Sequence, residues 1–169
     1  MTYSPYLFLE LRVEILGCDK LPNKDLGFEN KTDAIVSVAY GNCVAQTDVV
    51  TDCLSPRWLP WSQRAFVFRM SHPCVPLHLA VFDYDDIPLV GSLVDEILDW
   101  TQHNDRLGQL TIGLTNFRPS TDYVLVYGLF KDDSFADTRK NYGSITIRLR
   151  IEWRGAFIDY FYYNLRRDI

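Results

Sequence analysis

No apolar run in this chain approaches the roughly 20 residues that a bilayer-spanning helix needs. The opening residues, Met1-Thr2-Tyr3-Ser4-Pro5, lack the basic start of a secretory leader. Basic residues are in the minority, with 17 Lys and Arg against 22 Asp and Glu and a formal net charge of −5. A broad nucleic-acid surface needs a basic excess, so no nucleic-acid partner is expected; a cation site is compatible with this balance. Cysteine is sparse. Cys18, Cys43, Cys53 and Cys74 form no C-x-x-C pair, and His72, His78 and His103 create no zinc-ligand spacing with them. Four free thiols are therefore expected, which points to a reducing, cytoplasmic compartment. There is no Gly-x-Ser-x-Gly, no His-Glu-x-x-His and no phosphate loop.

What is present is apolar and aromatic. Hydrophobic residues make up 47% and aromatics 14% of 169 residues, enough for one cored domain that needs no disulfide staples. The dominant pattern is period-two alternation. Leu9, Leu11, Val13 and Ile15 alternate with Glu10, Arg12 and Glu14, as in a half-buried strand. Ile145, Ile147, Leu149, Ile151 and Trp153 alternate with Thr146, Arg148, Arg150 and Glu152 in the same way. Shorter β-rich runs fall at 34–40, 43–50, 64–70, 77–83, 109–114 and 123–130. Eight short antiparallel strands with turn residues between them predict an all-β sandwich or barrel. One segment departs from this. Leu89, Val90, Leu93, Val94, Ile97 and Leu98 carry helical spacing, which predicts a short helix over 89–101. That helix needs a partner: the sandwich, another protein or, least favoured because Asp95, Glu96 and Asp99 would face anionic head groups, the bilayer. Residues 131–142 are read as a polar loop, and 154–169 as a C-terminal extension or a linker to a further domain.

The aspartates gather at strand ends. Asp25 and Asp33 flank one loop. Asp83 and Asp85 close the apolar run Leu77-His78-Leu79-Ala80-Val81-Phe82, and Asp105 precedes Arg106-Leu107-Gly108. In Asp83-Tyr84-Asp85 the two carboxylates share one side of an extended chain. They repel unless a cation or proton relieves them. Calcium takes six to eight oxygens, which loop aspartates supply. Taken singly, each is equally a solvated turn former. Phe82-Asp83-Tyr84-Asp85 also looks like the nucleophile and acid/base pair of haloacid dehalogenase phosphatases. That family needs a parallel sheet with helices between strands, and the alternation here is antiparallel, so no enzyme is expected.

These residues carry a family resemblance from about Leu9 to Trp153. Leu11-Arg12-Val13-Glu14-Ile15-Leu16, followed by Leu21-Pro22-Asn23-Lys24-Asp25, resembles the strand and first calcium loop of a C2 domain. Thr32-Asp33-Ala34-Ile35-Val36 stands where that family has Ser-Asp-Pro-Tyr-Val, with Ala34 and Ile35 replacing proline and tyrosine. Ser55-Pro56-Arg57-Trp58 resembles its Asn-Pro-x-Trp. Val81-Phe82-Asp83-Tyr84-Asp85 and Asn104-Asp105-Arg106-Leu107-Gly108 resemble the two ends of loop three. Gly143-Ser144-Ile145-Thr146-Ile147 resembles the closing strand. The resemblance implies an eight-stranded C2-type sandwich over 1–153, in the permuted (type II) order because that strand comes last. The 89–101 helix would then be an insertion in loop three. It implies calcium as cofactor, held by Asp25 and Asp33 from loop one and by Asp83, Asp85 and Asp105 from loop three. It also implies peripheral docking on phospholipid, with Leu26, Phe28 and Leu59 as candidate membrane contacts near loop tips. Trp58 and Trp61 are expected to pack inward. A calcium-independent domain that binds a protein partner is the alternative.

Overall fold

The alternation read from the sequence becomes two four-stranded antiparallel sheets packed face to face. The computed structural model describes residues 8–23, 32–70, 72–84, 105–131 and 142–154. The strands are β1 (Phe8–Asp19), β2 (Ala34–Tyr40), β3 (Cys43–Gln46), β4 (Ala65–Met70), β5 (Leu77–Asp83), β6 (Arg106–Ile112), β7 (Asp122–Gly128) and β8 (Ser144–Arg154). One sheet runs β4-β1-β8-β7 and the other β3-β2-β5-β6. The last strand lies between the first strand and β7, as the permuted order requires.

Each sheet turns one parity inward. Leu11, Val13 and Ile15 of β1 join Ile145, Ile147, Leu149 and Ile151 of β8 in the core. From the facing sheet come Val36, Val38, Leu77, Leu79, Val81, Leu110 and Ile112. Full burial of such a side chain contributes about 1.5–3 kcal/mol, so this interior is what makes the alternation decisive. Two glycines are dictated by close approach. At Gly17, where the β1–β8 register shifts, a Cβ would stand 2.6 Å from Arg57 Cδ and 2.8 Å from the Pro56 carbonyl oxygen. Gly143 has φ 83°, and a Cβ there would meet the Asp19 carbonyl oxygen at 2.6 Å.

Some boundaries differ from the sequence reading. β3 ends at Gln46 rather than continuing to 50. The cause is Thr47, whose Oγ1 accepts the Val36 amide at 3.0 Å in place of a backbone carbonyl. Pairing with β2 resumes at a bridge between Val50 and Ala34. β6 begins at Arg106, three residues before the expected start, because Arg106 pairs with Phe82 beyond a bulge at Leu107 of β6. Trp61 corrects its expectation. Trp58 is 1% exposed, with Nε1 donating to the Asp48 carbonyl at 2.7 Å, but Trp61 is 81% exposed. Cys18, Cys43, Cys53 and Cys74 are all free thiols. The 89–101 segment and the extension from 155 onward lie outside the described residues.

Candidate functional site at the loop end

The antiparallel register of β2 and β5 pairs Ala34 with Asp83. Asp33 therefore falls beside Tyr84, and the Tyr84 amide donates to the Asp33 carbonyl at 2.8 Å. On the other side of β5 the Asp83 amide donates to the Asp105 carbonyl at 2.8 Å, just ahead of β6. Three aspartates far apart in sequence are thus brought to one end of three neighbouring strands. Asp25 and Asp85 lie in the connections that leave from this end and fall outside the described residues, as do Leu26 and Phe28.

The carboxylates are held by backbone donors. Asp83 continues the inward parity of β5 and is 3% exposed. Its Oδ1 accepts the Asp33 amide at 2.7 Å. Asp33, in turn, accepts the Asp52 amide on Oδ1 at 2.7 Å. Buried charge is tolerated only when hydrogen-bonded, and charge-assisted bonds of this kind are the strong ones. Asp52 sits at φ 60°, a left-handed conformation that Asp adopts more readily than most residues. Beside it, fully buried Thr32 donates from Oγ1 to the Pro22 carbonyl at 3.0 Å and accepts the Cys53 amide at 3.0 Å on its own carbonyl. Loops one, two and three are stitched together here by main-chain groups.

Loop two, residues 47–64 between β3 and β4, then runs along the part of β1 that lies beyond its pairing with β4. The Leu21 amide donates to Leu54, the Cys18 amide to Pro56, and the Trp58 amide to the Leu16 carbonyl. The line along β1 resumes where the Ile15 amide donates to Arg64, which leads into β4. Residues 59–63 are ejected between these two stretches. Leu59, 46% exposed, is therefore placed alongside Leu16 and Ile15 on the side wall, below the aspartates that end β5 and precede β2.

Acidic residues elsewhere are committed differently. On the outer face of the β4-β1-β8-β7 sheet, Glu14 bridges Arg64 at 2.5 Å and Arg148 at 2.6 Å. Glu152 meets Arg12, Arg150 and Arg154, and Glu10 meets Arg12 and Arg154. Asp122 holds Arg150 at 2.8 Å. The hydrogen bonds that the Arg150 guanidinium donates to Asp122 and Glu152 raise it above its ordinary pKa. These carboxylates are neutralised in place and are poor candidates for a metal. Among the described residues no group of three or more His, Cys, Asp or Glu side chains is arranged to hold a metal ion, so a metal site at the loop end needs ligands from outside the described residues.

Sequence reasoning missed Asp52 and the exposure of Trp61. Asp52 follows a threonine in a turn-rich stretch, and that turn chemistry was the available signal. For Trp61 the signal was Leu59-Pro60-Trp61-Ser62, an apolar stretch broken by proline, which cannot supply a ladder amide.

Comparison with known proteins agrees with this fold. The family model described as "C2 domain" matches residues 9–129, more than half of the chain. Multiple C2 domain and transmembrane region protein 16 of Arabidopsis thaliana is 28% identical over 116 residues, which is 68% of this chain and 10% of that protein. The chain thus spans about a tenth of the curated relative it matches. Among solved structures, C2 domain A of a plant extended synaptotagmin 1 superposes with a TM-score of 0.63 at 17% identity, covering 92% of this chain and 98% of that one. The calcium-bound C2 domains A and B of extended synaptotagmin 2 give 0.62 at 21% identity, covering 90% and 48%.

Proposed function

The chain belongs to the C2 domain family, and from that premise we propose that it binds calcium at the loop end and docks on phospholipid when the ion is present. In this reading it is one module of a larger protein, peripheral on a cytoplasmic membrane face. The ligands are Asp25, Asp33, Asp83, Asp85 and Asp105. The observation that carries the reading is the convergence of Asp33, Asp83 and Asp105 at one end of β2, β5 and β6. The donor set is hard oxygen, which suits calcium and not a softer metal. A bound ion supplies positive charge and open coordination positions for phosphate or carboxylate oxygens. The residues themselves do two things. Asp83 and Asp33 hold the loops in place through backbone amides, and the carboxylates keep negative charge concentrated where the loops meet. Without a cation that charge repels anionic head groups. We assign the domain no catalytic step.

A second reading is calcium-independent binding of a protein partner. It is favoured by one observation: Asp33 and Asp83 already use a carboxylate oxygen to accept a backbone amide, so part of the loop end is organised without an ion. Sedimentation with phosphatidylserine-containing vesicles separates the readings. Binding in calcium that is lost in chelator is the expected result. Equal binding in both conditions removes calcium from the account, and no binding in either favours the protein partner.

A further inference from the structure

β7 is an outermost strand with none of the usual defences of one. Natural sheets blunt an edge by shortness, charge, proline or a covering segment. Of the other three edge strands, β3 has four residues, β4 carries Arg69, and β6 is bridged at Gln109 by Phe130. Across Tyr123-Val124-Leu125-Val126-Tyr127, β7 has no charge and no proline. Val124 and Val126 stand 60% and 67% exposed on the outer sheet face. Tyr123, Leu125 and Tyr127 have the inward parity yet are only partly buried, since no strand follows β7 in its sheet. The backbone phase is fixed by the Leu129 amide, which donates to the Gly143 carbonyl at 2.9 Å and extends the β7–β8 register. Bonded pairs alternate along an antiparallel ladder. Tyr123, Leu125 and Tyr127 therefore bond to β8, whereas Asp122, Val124, Val126 and Gly128 turn their main-chain groups to the open edge. Among the described residues nothing pairs with those groups.

We infer that β7 pairs antiparallel with β7 of a second copy of this chain, about a two-fold axis at Leu125, to form one continuous sheet. Two observations choose this occupant. First, residues 123–127 read the same in both directions. Pairing about Leu125 thus sets Tyr123 opposite Tyr127, Val124 opposite Val126 and Leu125 opposite its own copy, and apolar and aromatic cross-strand pairs of this kind are favourable. Second, the backbone phase agrees. That register makes Val124 with Val126, and Asp122 with Gly128, the bonded pairs, and these are the residues whose groups face the edge. Such a contact is self-complementary and closes on two copies. Charge does not oppose it. Asp122, the one charged residue of β7, is held by Arg150 at 2.8 Å and falls opposite uncharged Gly128 of the second copy. The strand offers 7 residues a side, short of the roughly 20–30 that a stable interface uses, so the association is weak and reversible. Gly128 lies beside Ser144, which pairs with Asp19 at the loop end, so antiparallel pairing turns the two loop ends away from each other.

The test is analytical ultracentrifugation of the full chain from about 10 μM to about 1 mM. Reductant is present so that exposed Cys43 and Cys74 form no cross-link. The parent should pass from monomer toward dimer over this range. The double variant Val124→Lys, Val126→Lys sets like charges opposite each other across the axis and should weaken association roughly tenfold or more. Its melting temperature should stay near the parent value, because both side chains are mostly in water. The double variant Val124→Lys, Val126→Glu sets opposite charges face to face in this register alone and should restore most of the association. Val126→Pro removes only an edge-facing donor and should leave a folded monomer. A parent that stays monomeric up to about 1 mM overturns the self-pairing and leaves the edge to a strand of another protein. Parent-like association in the double-lysine variant overturns the interface. A lysine–glutamate variant no better than the double-lysine one overturns the register.

Discussion

Two regions of this domain gather carboxylates, and they gather them against different donors. On the outer face of the β4-β1-β8-β7 sheet, Glu10, Glu14, Glu152 and Asp122 each meet a guanidinium. At the loop end, Asp33 and Asp83 meet backbone amides. The first arrangement cancels charge. The second fixes geometry through donors that carry no net charge of their own. On the proposed reading a cation is drawn to the second region and gains little at the first. The difference follows from strand position. Residues on the outward sheet face have long cross-strand neighbours such as Arg148 and Arg150 within reach, whereas Asp33 and Asp83 face loops whose amides lack ladder partners.

The largest effect expected from breaking this contrast lies in the strand that serves both regions. Cys18 is buried at the loop end of β1, and burial pushes its thiol up to about 12 from 9.0, against the opposing pull of Arg57. The folded state keeps this proton over a window in which the unfolded chain loses it. Stability from this group is therefore complete below pH 9 and is lost as pH rises toward 12, at about 1.4 kcal/mol per pH unit. Arginines stay protonated there, so the charged sheet face should not share the loss. Urea denaturation at stepped alkaline pH should show the slope, and Cys18→Ala should flatten it. An identical slope in the variant assigns the alkaline loss to other groups.

Next in size is Asp83→Ala. It leaves the Asp33 amide without its buried acceptor, at about 1–3 kcal/mol. Asp83→Asn keeps an oxygen in place and should cost less than half as much. The Asp33 amide is a neutral donor, so its share of the Asp83→Ala cost should hardly change in 1 M salt. Glu14→Gln comes third. It breaks the bridges to Arg64 and Arg148, and partly exposed pairs of this kind are worth about 1 kcal/mol or less. That cost should shrink in 1 M salt, where charges are screened within about 3 Å. Chemical denaturation at two ionic strengths measures both variants. Equal salt dependence would erase the distinction between the regions. Trp61→Ala should be smallest, within about 0.5 kcal/mol of the parent in stability, because its side chain is mostly in water.

β1 and β8 were legible because each carries a clean apolar parity, and β2 and β5 fell on the β-rich runs 34–40 and 77–83. Where β3 stops was not legible, since Thr47 ends it with a side-chain bond that no periodicity encodes. Of the candidate ligands, Asp33, Asp83 and Asp105 lie together because strand register carries them there, and a strand ending in Asp is visible in a sequence. The amide bonds that commit Asp33 and Asp83 are a property of loop conformation and leave no mark on composition. Trp61 misled for a related reason. Its neighbour Trp58 obeys the inward rule, and only the path of loop two along β1 shows that residues 59–63 are pushed out of line.

The central claim is that the loop end takes up calcium through its aspartates, and calorimetric titration of calcium into the parent and into the double variant Asp83→Asn, Asp85→Asn tests it most directly. The substitutions keep shape and hydrogen-bonding oxygens and remove two charges. The account predicts saturable heat in the parent, none in the variant, and far-ultraviolet spectra that superimpose. A variant that takes up calcium as well as the parent, or a parent that takes up none, would contradict it.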